Sequence, residues 1–515
     1  MQEATLVQSG NSTSTLRITQ GSNMSVQQYN SSKPSAGKSI CAGILLCAAM
    51  AVAAQAQYVK LVDFNGANGS SPRAPLIQGL NGHFYGTTVA GGTHKEGTVF
   101  EIASDGAFTT TRSFCAGSQL YCSTYGAVPY GPLVLAGNGN FYEMLYLNAL
   151  SGGVQGGGTI LRLTSSGGAT KIADICPTTA CADGAAPTDG LIEAVDGNFY
   201  GTTSSGGNFG NPVCGGCGTV IKVTPAGSLT NLYSFCSATN CTDGAVPLTG
   251  LVQGTDGNFY GTTSVGGVKD AGTVFKILSD GTFTTLYSFC KLAQCADGKD
   301  PSGLMQADDG NFYGTTNATD TGYGTLFRIT PTGALTTLSS FCSQPSCTDG
   351  ATPVGALIQA TDGKLYGTTS SGGVSNRGTI FRATLDGTLT RVHSFAHLMG
   401  ISPAAGLVQG TDGSFYGTTS RGGTSFHGTA FRFSTGLGPF VKTVRPYGAV
   451  SSTVTILGNS LTGTSSVTFN GTAAAFTLVS DTEITATVPT GATTGTIQVV
   501  TPGGTLTSNV AFRVF

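Results

Sequence analysis

The amino-acid sequence predicts an all-β protein, a seven-bladed β-propeller closed by an N-terminal strand and followed by a small immunoglobulin-like β-sandwich. Three observations lead to this fold class. The segment FYGTT, or a variant of it, occurs seven times at intervals of 50 to 60 residues, with its tyrosine at Tyr85, Tyr142, Tyr200, Tyr260, Tyr313, Tyr366 and Tyr416. Each repeat divides into four short strand patterns. The last repeat lacks one strand, and a segment ahead of the first repeat matches it.

One complete repeat, residues 250–289, shows the four strands in order. The apolar run GLVQG is followed by a turn at Asp256-Gly257, then by NFYGTT, a Gly-rich loop, GTVFKIL, a second turn at SDG, and TFTTLYSF. Asp-Gly pairs favour tight hairpins because glycine adopts a positive φ without strain. Calcium binding by the recurring Asp is the weaker hypothesis, since no D-x-D-x-D spacing occurs.

The ends of the repeat array favour a closed ring over an open solenoid. The seventh repeat has GLVQG, SFYGTT and GTAFRFS but no fourth strand, whereas YVKLVDF at residues 58–64 resembles that missing strand. An open solenoid would carry capping repeats with a polar face instead of a divided repeat. We therefore predict that residues 58–64 pair beside residues 428–434 and that residues 57–435 form the propeller.

The first 56 residues resemble an export signal rather than part of the fold. Residues 1–37 are polar, Lys38 precedes an apolar run at residues 40–54, and small residues surround Gln55. This order is typical of a secretory signal peptide cleaved after Ala56, with Met24 as an alternative start. An uncleaved anchor is the main alternative. The apolar run is too short for a comfortable transmembrane span. No membrane span is expected once the signal is cleaved.

A second domain is predicted for residues 439–515. The segment GLGP at residues 436–439 marks a boundary, and the runs STVTILG, SSVTFNG, TEITATVP, GTIQVVTPGG and NVAFRVF follow with turn signals every eight to twelve residues. This spacing is typical of an immunoglobulin-like sandwich.

Cysteine spacing predicts six local disulfides in an oxidising compartment. Twelve cysteines beyond the signal form close pairs at matching points of the repeats, which are Cys115/Cys122, Cys176/Cys181, Cys214/Cys217, Cys236/Cys241, Cys290/Cys295 and Cys342/Cys347. A zinc site is the alternative for Cys214, Cys217, Cys236 and Cys241, because Cys214 and Cys217 have CxxC spacing. Disulfides are favoured because the other pairs have no second CxxC, and no metal or cofactor is predicted.

The composition argues against partners that bind through a large excess of positive or negative charge on the protein. Charged residues make up 10% of the chain, with 24 Lys and Arg against 26 Asp and Glu. A typical soluble domain has about 25% charged residues. Nucleic acid and anionic lipid are therefore not expected as partners. The 78 glycines accompany 39% hydrophobic residues, so they indicate frequent turns in a folded chain rather than disorder.

The repeats resemble the GloVer tandem-repeat family of exported bacterial proteins. The resemblance covers about residues 58–435 and rests on FYGTT, the Gly-rich loop, GTVFKI, the DG turn and LYSF. The C-terminal segment resembles an IPT/TIG domain through VTFNGTAAAF and SDTEITATVPTGATTGTIQVVTPGG. These resemblances imply an exported multidomain protein and no particular activity. The second repeat departs from the pattern, having FYEML for FYGTT.

Few residues suggest catalysis. The sequence has five His and no HExxH, GxSxG, Walker A or helix-opening GxGxxG motif. His393 occupies the position of Tyr233 and Tyr287, which favours packing over metal binding; His83, His94 and His427 are expected in solvent. One polar position recurs before the first turn of each repeat, with Leu135 in the second, and could ring a central channel through Gln78, Glu193, Gln253, Gln306, Gln359 and Gln409. Hydrogen bonds between neighbouring blades are favoured over ligand binding for this ring.

The predicted function is a secreted or cell-surface binding or scaffold protein whose partner is a glycan or another protein. An extracellular enzyme acting on polysaccharide and a purely structural component are the alternatives; three clustered carboxylates would favour the enzyme. Tight DG turns alternate with long loops, so one end of the propeller is plain and the other elaborate. We predict that the loop end, including residues 208–218 and 236–247, binds the partner, whereas the turns with Asp256 and Asp280 are inert.

Overall fold

A computed structural model describes residues 2–6, 14–18, 57–115, 125–147, 157–177, 181–207 and 216–515 of the chain. Two compact units are present, Met1–Ala53 and Ala54–Phe515. In the first unit, strands β1 (Gln2–Leu6) and β2 (Ser14–Ile18) form an antiparallel pair that the sequence analysis did not anticipate. The predicted apolar signal segment and its cleavage site lie outside the described residues.

The second unit is all-β, and most of it consists of propeller-like repeats. Seven antiparallel sheets follow one another along the chain, and we number them repeat sheets 1 to 7. Sheet 1 contains β4 (Ile77–Gln78), β5 (Phe84–Thr88), β6 (Thr98–Ile102) and β7 (Phe108–Ser113). Sheet 2 contains β8 (Ala127–Pro129), β9 (Val134–Leu135), β10 (Phe141–Leu147), β11 (Thr159–Leu163) and β12 (Ala169–Asp174). Sheet 3 contains β13 (Ile192–Glu193), β14 (Phe199–Thr203), β15 (Thr219–Val223) and β16 (Leu229–Ser234).

The remaining repeat sheets keep the same order. Sheet 4 contains β17 (Val252–Gln253), β18 (Phe259–Thr263), β19 (Thr273–Ile277) and β20 (Phe283–Ser288). Sheet 5 contains β21 (Lys299–Gln306), β22 (Phe312–Ala318), β23 (Thr325–Ile329) and β24 (Leu335–Ser340). Sheet 6 contains β25 (Ala351–Gln359), β26 (Leu365–Ser371), β27 (Thr379–Ala383) and β28 (Leu389–Ser394). Sheet 7 contains β29 (Val408–Gln409), β30 (Phe415–Thr419), β31 (Thr429–Ser434) and the distant strand β3 (Gln57–Asp63).

The predicted exchange of the N-terminal strand is confirmed. Strand β3 runs antiparallel to β31, with Gln57 opposite Ser434 and Asp63 opposite Thr429. The pairing supplies the fourth strand that repeat sheet 7 lacks in its own sequence. Residues more than 360 positions apart thereby share one sheet, as the divided repeat predicted.

The first five residues of the second strand are buried in every repeat because neighbouring sheets cover both faces of the strand there. Phe259 and Tyr260 point to opposite sides of β18, and the Tyr200 ring stacks on the Phe259 ring with centroids 4.1 Å apart. The same stacking of one repeat's tyrosine on the next repeat's phenylalanine occurs at Tyr85–Phe141, Tyr142–Phe199, Tyr260–Phe312, Tyr366–Phe415 and Tyr416–Phe84. The last pair joins repeat sheets 7 and 1. The aromatic motif thus recurs because each sheet makes the same contacts with the next.

Two further sheets follow the repeats and enclose a separate apolar core; we call them the C-terminal sheets. One contains β32 (Lys442–Thr443), β34 (Thr453–Leu457), β38 (Glu483–Thr487) and β37 (Phe476–Ser480). The other contains β36 (Thr472–Ala473), β35 (Ser466–Phe469), β39 (Ile497–Thr501) and β40 (Gly504–Thr507). A short parallel pair, β33 (Tyr447–Gly448) with β41 (Arg513–Val514), lies beside them. Ile456, Phe469, Ile484 and Val499 are among the fully buried side chains between the sheets.

Helical structure among the described residues is limited to four 3-10 turns at the ends of repeats, Thr239–Cys241, Ala293–Cys295, Pro345–Cys347 and His397–Met399. None of the helices in the described part of the chain has the length and hydrophobicity that crossing a membrane requires.

Candidate functional site

The antiparallel order of each repeat places alternate connections at opposite ends of its sheet. The end with the DG turns, such as residues 254–258, is called the turn face. The opposite end carries the loops after FYGTT and the connections between repeats, and is called the loop face. These two faces are the candidate sites, and their chemistry differs.

On the turn face, the aspartate of the DGNFY motif joins three parts of its own repeat. The Asp256 carboxylate accepts hydrogen bonds from the Asn258 backbone N–H at 3.1 Å, the Tyr260 hydroxyl at 2.8 Å and the Lys276 ammonium at 2.9 Å. Gly257 follows it with a φ of 84°, which the turn requires. The motif therefore combines turn geometry with a bridge from the turn to the second and third strands.

This network makes the stability depend on pH. Burial by itself raises the pKa of Asp256, but hydrogen bonds from Asn258, Lys276 and Tyr260 outweigh it and lower the pKa to about 2. An unfolded aspartate titrates near about 3.9. The stabilisation is therefore complete above about pH 4 and is lost as the pH falls toward 2.

We expect Asp256→Asn to reduce the gain in stability that the wild type shows between pH 2 and pH 5. The measurement is the urea midpoint as a function of pH. Asp280→Asn is the comparison, because the hydrogen bond from the Thr282 backbone lowers the pKa of Asp280 too, but Asp280 is exposed and bonds only within its own turn. An equal effect of both substitutions would argue against the network.

The predicted ring of polar residues lies beside the turns and links neighbouring repeat sheets. The Gln253 side chain donates to the carbonyl of Gly257 at 2.9 Å and accepts from the backbone N–H of Val195 in sheet 3 at 3.1 Å. Gln306, Gln359 and Gln409 accept in the same way from Thr255, Asp308 and Thr361. Gln78 of sheet 1 accepts from Thr411 of sheet 7 at 3.1 Å. Ligand binding by this ring stays a prediction, and its hydrogen bonds favour the structural interpretation.

The second repeat breaks the ring, and the third modifies it. The Leu135 side chain has no polar atom, so it cannot accept a hydrogen bond from the turn of sheet 1. Glu193 accepts from the Gly137 backbone N–H at 2.8 Å and also forms an ion pair of 3.6 Å with Arg445 of the C-terminal sheets. The carboxylate at this position therefore connects the repeats with the C-terminal sheets.

The C-terminal sheets cover much of the turn face. Arg513 donates to the carbonyl of Thr255 at 2.7 Å, the Tyr447 hydroxyl donates to that of Glu193 at 3.0 Å, and the Thr482 hydroxyl donates to that of Leu80 at 2.8 Å. The Lys442 ammonium donates to the Gln409 carbonyl at 3.2 Å. Burial at this contact lowers the pKa of Lys442 to about 8, although the charge of Asp412 opposes that shift. Repeat sheets 1, 3, 4 and 7 therefore all form hydrogen bonds with the C-terminal part of the chain.

Gly137 leaves room for the Arg445 guanidinium at this contact, and a larger residue there would require the Arg445 side chain to shift. A Cβ atom at position 137 would lie 2.0 Å from a guanidinium nitrogen of Arg445. A cavity of about 200 Å³ lies at this junction, lined by Val195, Arg445, Tyr447 and Phe515 among others. Its chief charged group, Arg445, is already paired with Glu193.

The loop face carries the disulfides. Four of the predicted pairs are present, at Cys176–Cys181, Cys236–Cys241, Cys290–Cys295 and Cys342–Cys347. Cys115 and Cys217 are also disulfide-bonded. Their predicted partners Cys122 and Cys214 lie outside the described residues, so those two pairings stay predictions.

An aspartate stabilises the same connections from inside. Asp243, two residues after Cys241, accepts from the Tyr233 hydroxyl at 2.6 Å and from the backbone N–H of Ser237 at 2.9 Å. Asp297 makes the equivalent contacts with Tyr287 and Lys291. The connections between repeats are thus held both by a disulfide and by a buried carboxylate.

We expect the double variant Cys236→Ser/Cys241→Ser to lower the free energy of unfolding by about 2 kcal/mol, because the disulfide closes a loop of six residues. Urea denaturation under non-reducing conditions would measure this loss. The same experiment on the wild type with a reductant should reproduce and exceed it. An unchanged midpoint in the variant would contradict the assignment.

One disulfide has a third sulfur close by. The sulfur atoms of Cys217, Cys236 and Cys241 all lie within 4.8 Å of one another, and all three residues are buried. This is the cluster for which zinc was the alternative. In this structure Cys236 and Cys241 are joined as a disulfide.

The loop face also exposes apolar side chains at its tips. Val268, Val374 and Phe426, which follow the FYGTT strands of sheets 4, 6 and 7, are 69%, 72% and 62% exposed. Leu292 and Leu398, in the connections between repeats, are exposed as well. Loops positioned by a rigid scaffold are where binding residues concentrate.

Several histidines have structural contacts, whereas His94 is exposed as predicted. His393 stacks on Tyr58 with ring centroids 4.5 Å apart, and burial lowers its pKa to about 4. This packing position agrees with the prediction. His83 and His427, expected in solvent, contact Glu101 at 2.6 Å and Ser70 at 2.9 Å.

One residue was missed by the sequence analysis. Glu143 is fully buried, and neither of its carboxylate oxygens has a hydrogen-bond partner among the described residues. Burial, followed by the charge of Asp189, raises its pKa well above the ordinary range. The sequence did contain an indication of this residue, because Glu143 replaces the glycine of FYGTT in the divergent second repeat.

Residues 143–347 and 291–478 match the family model for the Gloeobacter/Verrucomicrobia repeat. Together the two segments span more than half of the chain. The chain belongs to the Gloeobacter/Verrucomicrobia repeat family. The matched segments include repeat sheets 3 to 6 and the three strands of sheet 7 that follow them in the chain.

Solved structures resemble this member of the repeat family only distantly. The extracellular domain of BT4673, described as a hybrid two-component system of B. thetaiotaomicron, is 14% identical with a TM-score of 0.45, over 73% of this chain and 39% of that one. PorZ, a surface component of the type-IX secretion system of Porphyromonas gingivalis, is 13% identical with a TM-score of 0.43, over 88% and 60%. An α-L-arabinanase of Penicillium chrysogenum is 12% identical with a TM-score of 0.39, over 59% and 92%.

This chain spans less than two thirds of the length of the first two of those structures. Their activities and partners therefore stay with those proteins. No curated protein matches the sequence significantly.

Proposed function

We propose that this repeat protein is an exported binding or scaffold protein that presents its loop face to an extracellular glycan or protein. In this proposal residues 1–56 are the leader and signal, residues 57–435 form a closed seven-bladed propeller, and residues 439–515 form an immunoglobulin-like IPT/TIG domain. The pairing of β3 with β31 and the contacts between sheets 1 and 7 support ring closure. Disulfides support export, because they persist in oxidising compartments.

The observation that carries the proposal is the contrast between the two faces. The turn face contacts the chain's own C-terminal sheets through Tyr447, Thr482 and Arg513. The loop face presents Val268, Val374 and Phe426 to solvent on loops held by disulfides and buried aspartates. Fixed loops lose little conformational entropy on binding, so contacts made there contribute more fully to affinity.

The enzyme alternative gains no support from the described residues. It required three or more carboxylates in one pocket, and the cavity beside Arg445 has no aspartate or glutamate side chain among the described residues that line it. Glu143 and Asp189 interact inside the repeats rather than at a face. Asp308 and Asp309, in a turn of sheet 5, are two carboxylates rather than three.

The test begins with a glycan and cell-wall polymer array probed with the disulfide-bonded protein. For the polymer bound, affinity is then compared between a loop-face variant, Val268→Asp/Val374→Asp/Phe426→Asp, and a turn-face variant, Asp308→Ser. We expect the loop-face variant to bind at least about tenfold more weakly and Asp308→Ser to bind like the wild type. Loss of binding in Asp308→Ser alone, with folding intact, would show that the partner binds the turn face and that our assignment is wrong. A protein that bound no polymer and no extracellular protein would favour the structural alternative.

A further inference from the structure

The residue after the recurring proline, near the start of each repeat, lies at the loop-face end of its sheet. At this position the seven repeats carry Arg73, Tyr130, Thr188, Leu248, Ser302, Val354 and Ala404. Only the first two repeats place an arginine and an aromatic side chain there. They are adjacent repeats, so these two side chains meet.

A second tyrosine joins them from the divergent second repeat. Tyr146 is the next-to-last residue of β10, which runs from the turn face to the loop face. The equivalent residues of the other repeats are Val89, Ser204, Ser264, Asn317, Ser370 and Ser420. The ring centroids of Tyr130 and Tyr146 are 5.5 Å apart with planes at 47°, and the Arg73 guanidinium lies 5.5 Å from the Tyr130 centroid.

The backbone that carries these three residues is held in place by contacts within and between repeat sheets. Leu145 and Leu147, on either side of Tyr146, pair with Pro129 and Ala127. The carbonyl of Gly131, next to Tyr130, accepts a hydrogen bond from the Thr87 hydroxyl at 3.3 Å. The carbonyl of Ala74, next to Arg73, accepts one from Thr418 at 3.5 Å. The cluster is therefore preorganised by contacts within and between repeat sheets.

The polar groups of the cluster have no hydrogen-bond or ion-pair partner among the described residues. Arg73 is exposed, the tyrosines are half-buried, and no residue in the described ranges forms an ion pair or hydrogen bond with the Arg73 guanidinium or with either tyrosine hydroxyl. A guanidinium matches a carboxylate with two parallel hydrogen bonds. Tyrosine rings offer an apolar face for the C–H groups of a sugar and a hydroxyl for its oxygens.

We infer that Arg73, Tyr130 and Tyr146 form a subsite for a uronic acid residue of an extracellular polysaccharide. The sugar ring packs against the tyrosine faces, and its carboxylate binds the Arg73 guanidinium. The inference rests on the proposed function, because it names the glycan class and the part of the loop face that binds it. It goes beyond that proposal in assigning three residues that the repeat motif does not contain.

The test is isothermal titration calorimetry of the full disulfide-bonded protein with three uronate trisaccharides, made of galacturonate, guluronate and glucuronate. Galactotriose is the neutral counterpart of trigalacturonate. We expect at least one uronate to bind, galactotriose to bind at least about tenfold more weakly, and Arg73→Gln and Tyr130→Ala each to lower uronate affinity about tenfold. Tyr146→Phe tests the hydroxyl separately and should have a smaller effect.

Tyr323→Ala is the matched control, because Tyr323 is 50% exposed on a loop-face segment of sheet 5 and has no aromatic or arginine neighbour among the described residues. It should bind uronate like the wild type. Failure of all three uronates to bind, equal affinity for galactotriose, or unchanged affinity in Arg73→Gln and Tyr130→Ala would overturn the subsite. If another polymer still binds and is lost in the Val268, Val374 and Phe426 variant, the proposed function stands without it.

Discussion

Removal of residues 57–64 is expected to abolish cooperative folding of the repeats, and this is the largest effect we predict. The deletion strips the outer strand from sheet 7 and exposes the edge of β31. It also removes Val62 and Phe64 from a core that they share with Phe100 of sheet 1 and Tyr416 of sheet 7. Burying one large apolar side chain contributes about 1.5–3 kcal/mol. The deletion therefore removes the stabilisation of more than one such side chain at once.

A closed ring and an open array differ in how many repeat sheets the deletion destabilises. In an open array, loss of β3 would weaken sheet 7 and its neighbour, since each repeat contacts only adjacent repeats. In a ring, every interface contributes to closure, and amide hydrogen exchange should speed up in sheets 3 to 5 as well. A truncation that starts at Ala54 is the control and should exchange like the full chain. Protection retained in sheet 4 after deletion of residues 57–64 would contradict ring closure.

Replacement of Glu143 by methionine is expected to stabilise the protein at pH 8. Glu143 is fully buried without a hydrogen-bond partner among the described residues, and an unsatisfied buried polar group costs about 1–3 kcal/mol. The site has room for an unbranched side chain of this length. At the equivalent Gly261, a Cβ atom would lie 2.5 Å from the ring of Phe275, whereas Glu143 faces the smaller Leu161.

The pH dependence of this gain has a definite sign. Burial, followed by the charge of Asp189, raises the pKa of Glu143 in the folded protein above its unfolded value. Such a group stabilises the fold fully below the unfolded pKa, and that stabilisation is lost as the pH rises through the folded pKa. The advantage of Glu143→Met over the wild type should therefore be small near pH 4 and grow toward pH 8.

Chemical denaturation at pH 4, 6 and 8 measures the effect. Glu143→Gln cannot ionise and should show the flatter pH profile without the packing gain. Glu96→Gln, in a loop, should leave the profile unchanged. If Glu143→Met were less stable than the wild type at pH 8, the buried carboxyl would have a stabilising partner, and our account of it would be wrong.

The sequence by itself determined the repeat period, the strand order within each repeat and the strand that completes sheet 7. These features follow from local rules: Asp-Gly pairs set turns, alternating side chains set strands, and a divided repeat leaves one strand unpaired. The spacing of Cys236 and Cys241 likewise predicted a local disulfide, because a separation of five residues limits how far apart the sulfurs can lie. Each of these inferences needs only residues that are close in the chain or that match a neighbouring repeat.

Only the tertiary structure decided which face remains open and which side chains meet there. Arg513 contacts Thr255 across 258 positions, and Thr482 contacts Leu80 across 402, so no local pattern could place the C-terminal sheets on the turn face. Glu143 appeared in the sequence as one departure from a glycine, and its burial depends on Leu161 of the neighbouring strand. Arg73, Tyr130 and Tyr146 occupy positions that vary between repeats, and their proximity follows from the packing of sheet 1 against sheet 2. Contacts of this kind depend on how whole sheets pack, which turn and strand propensities do not specify.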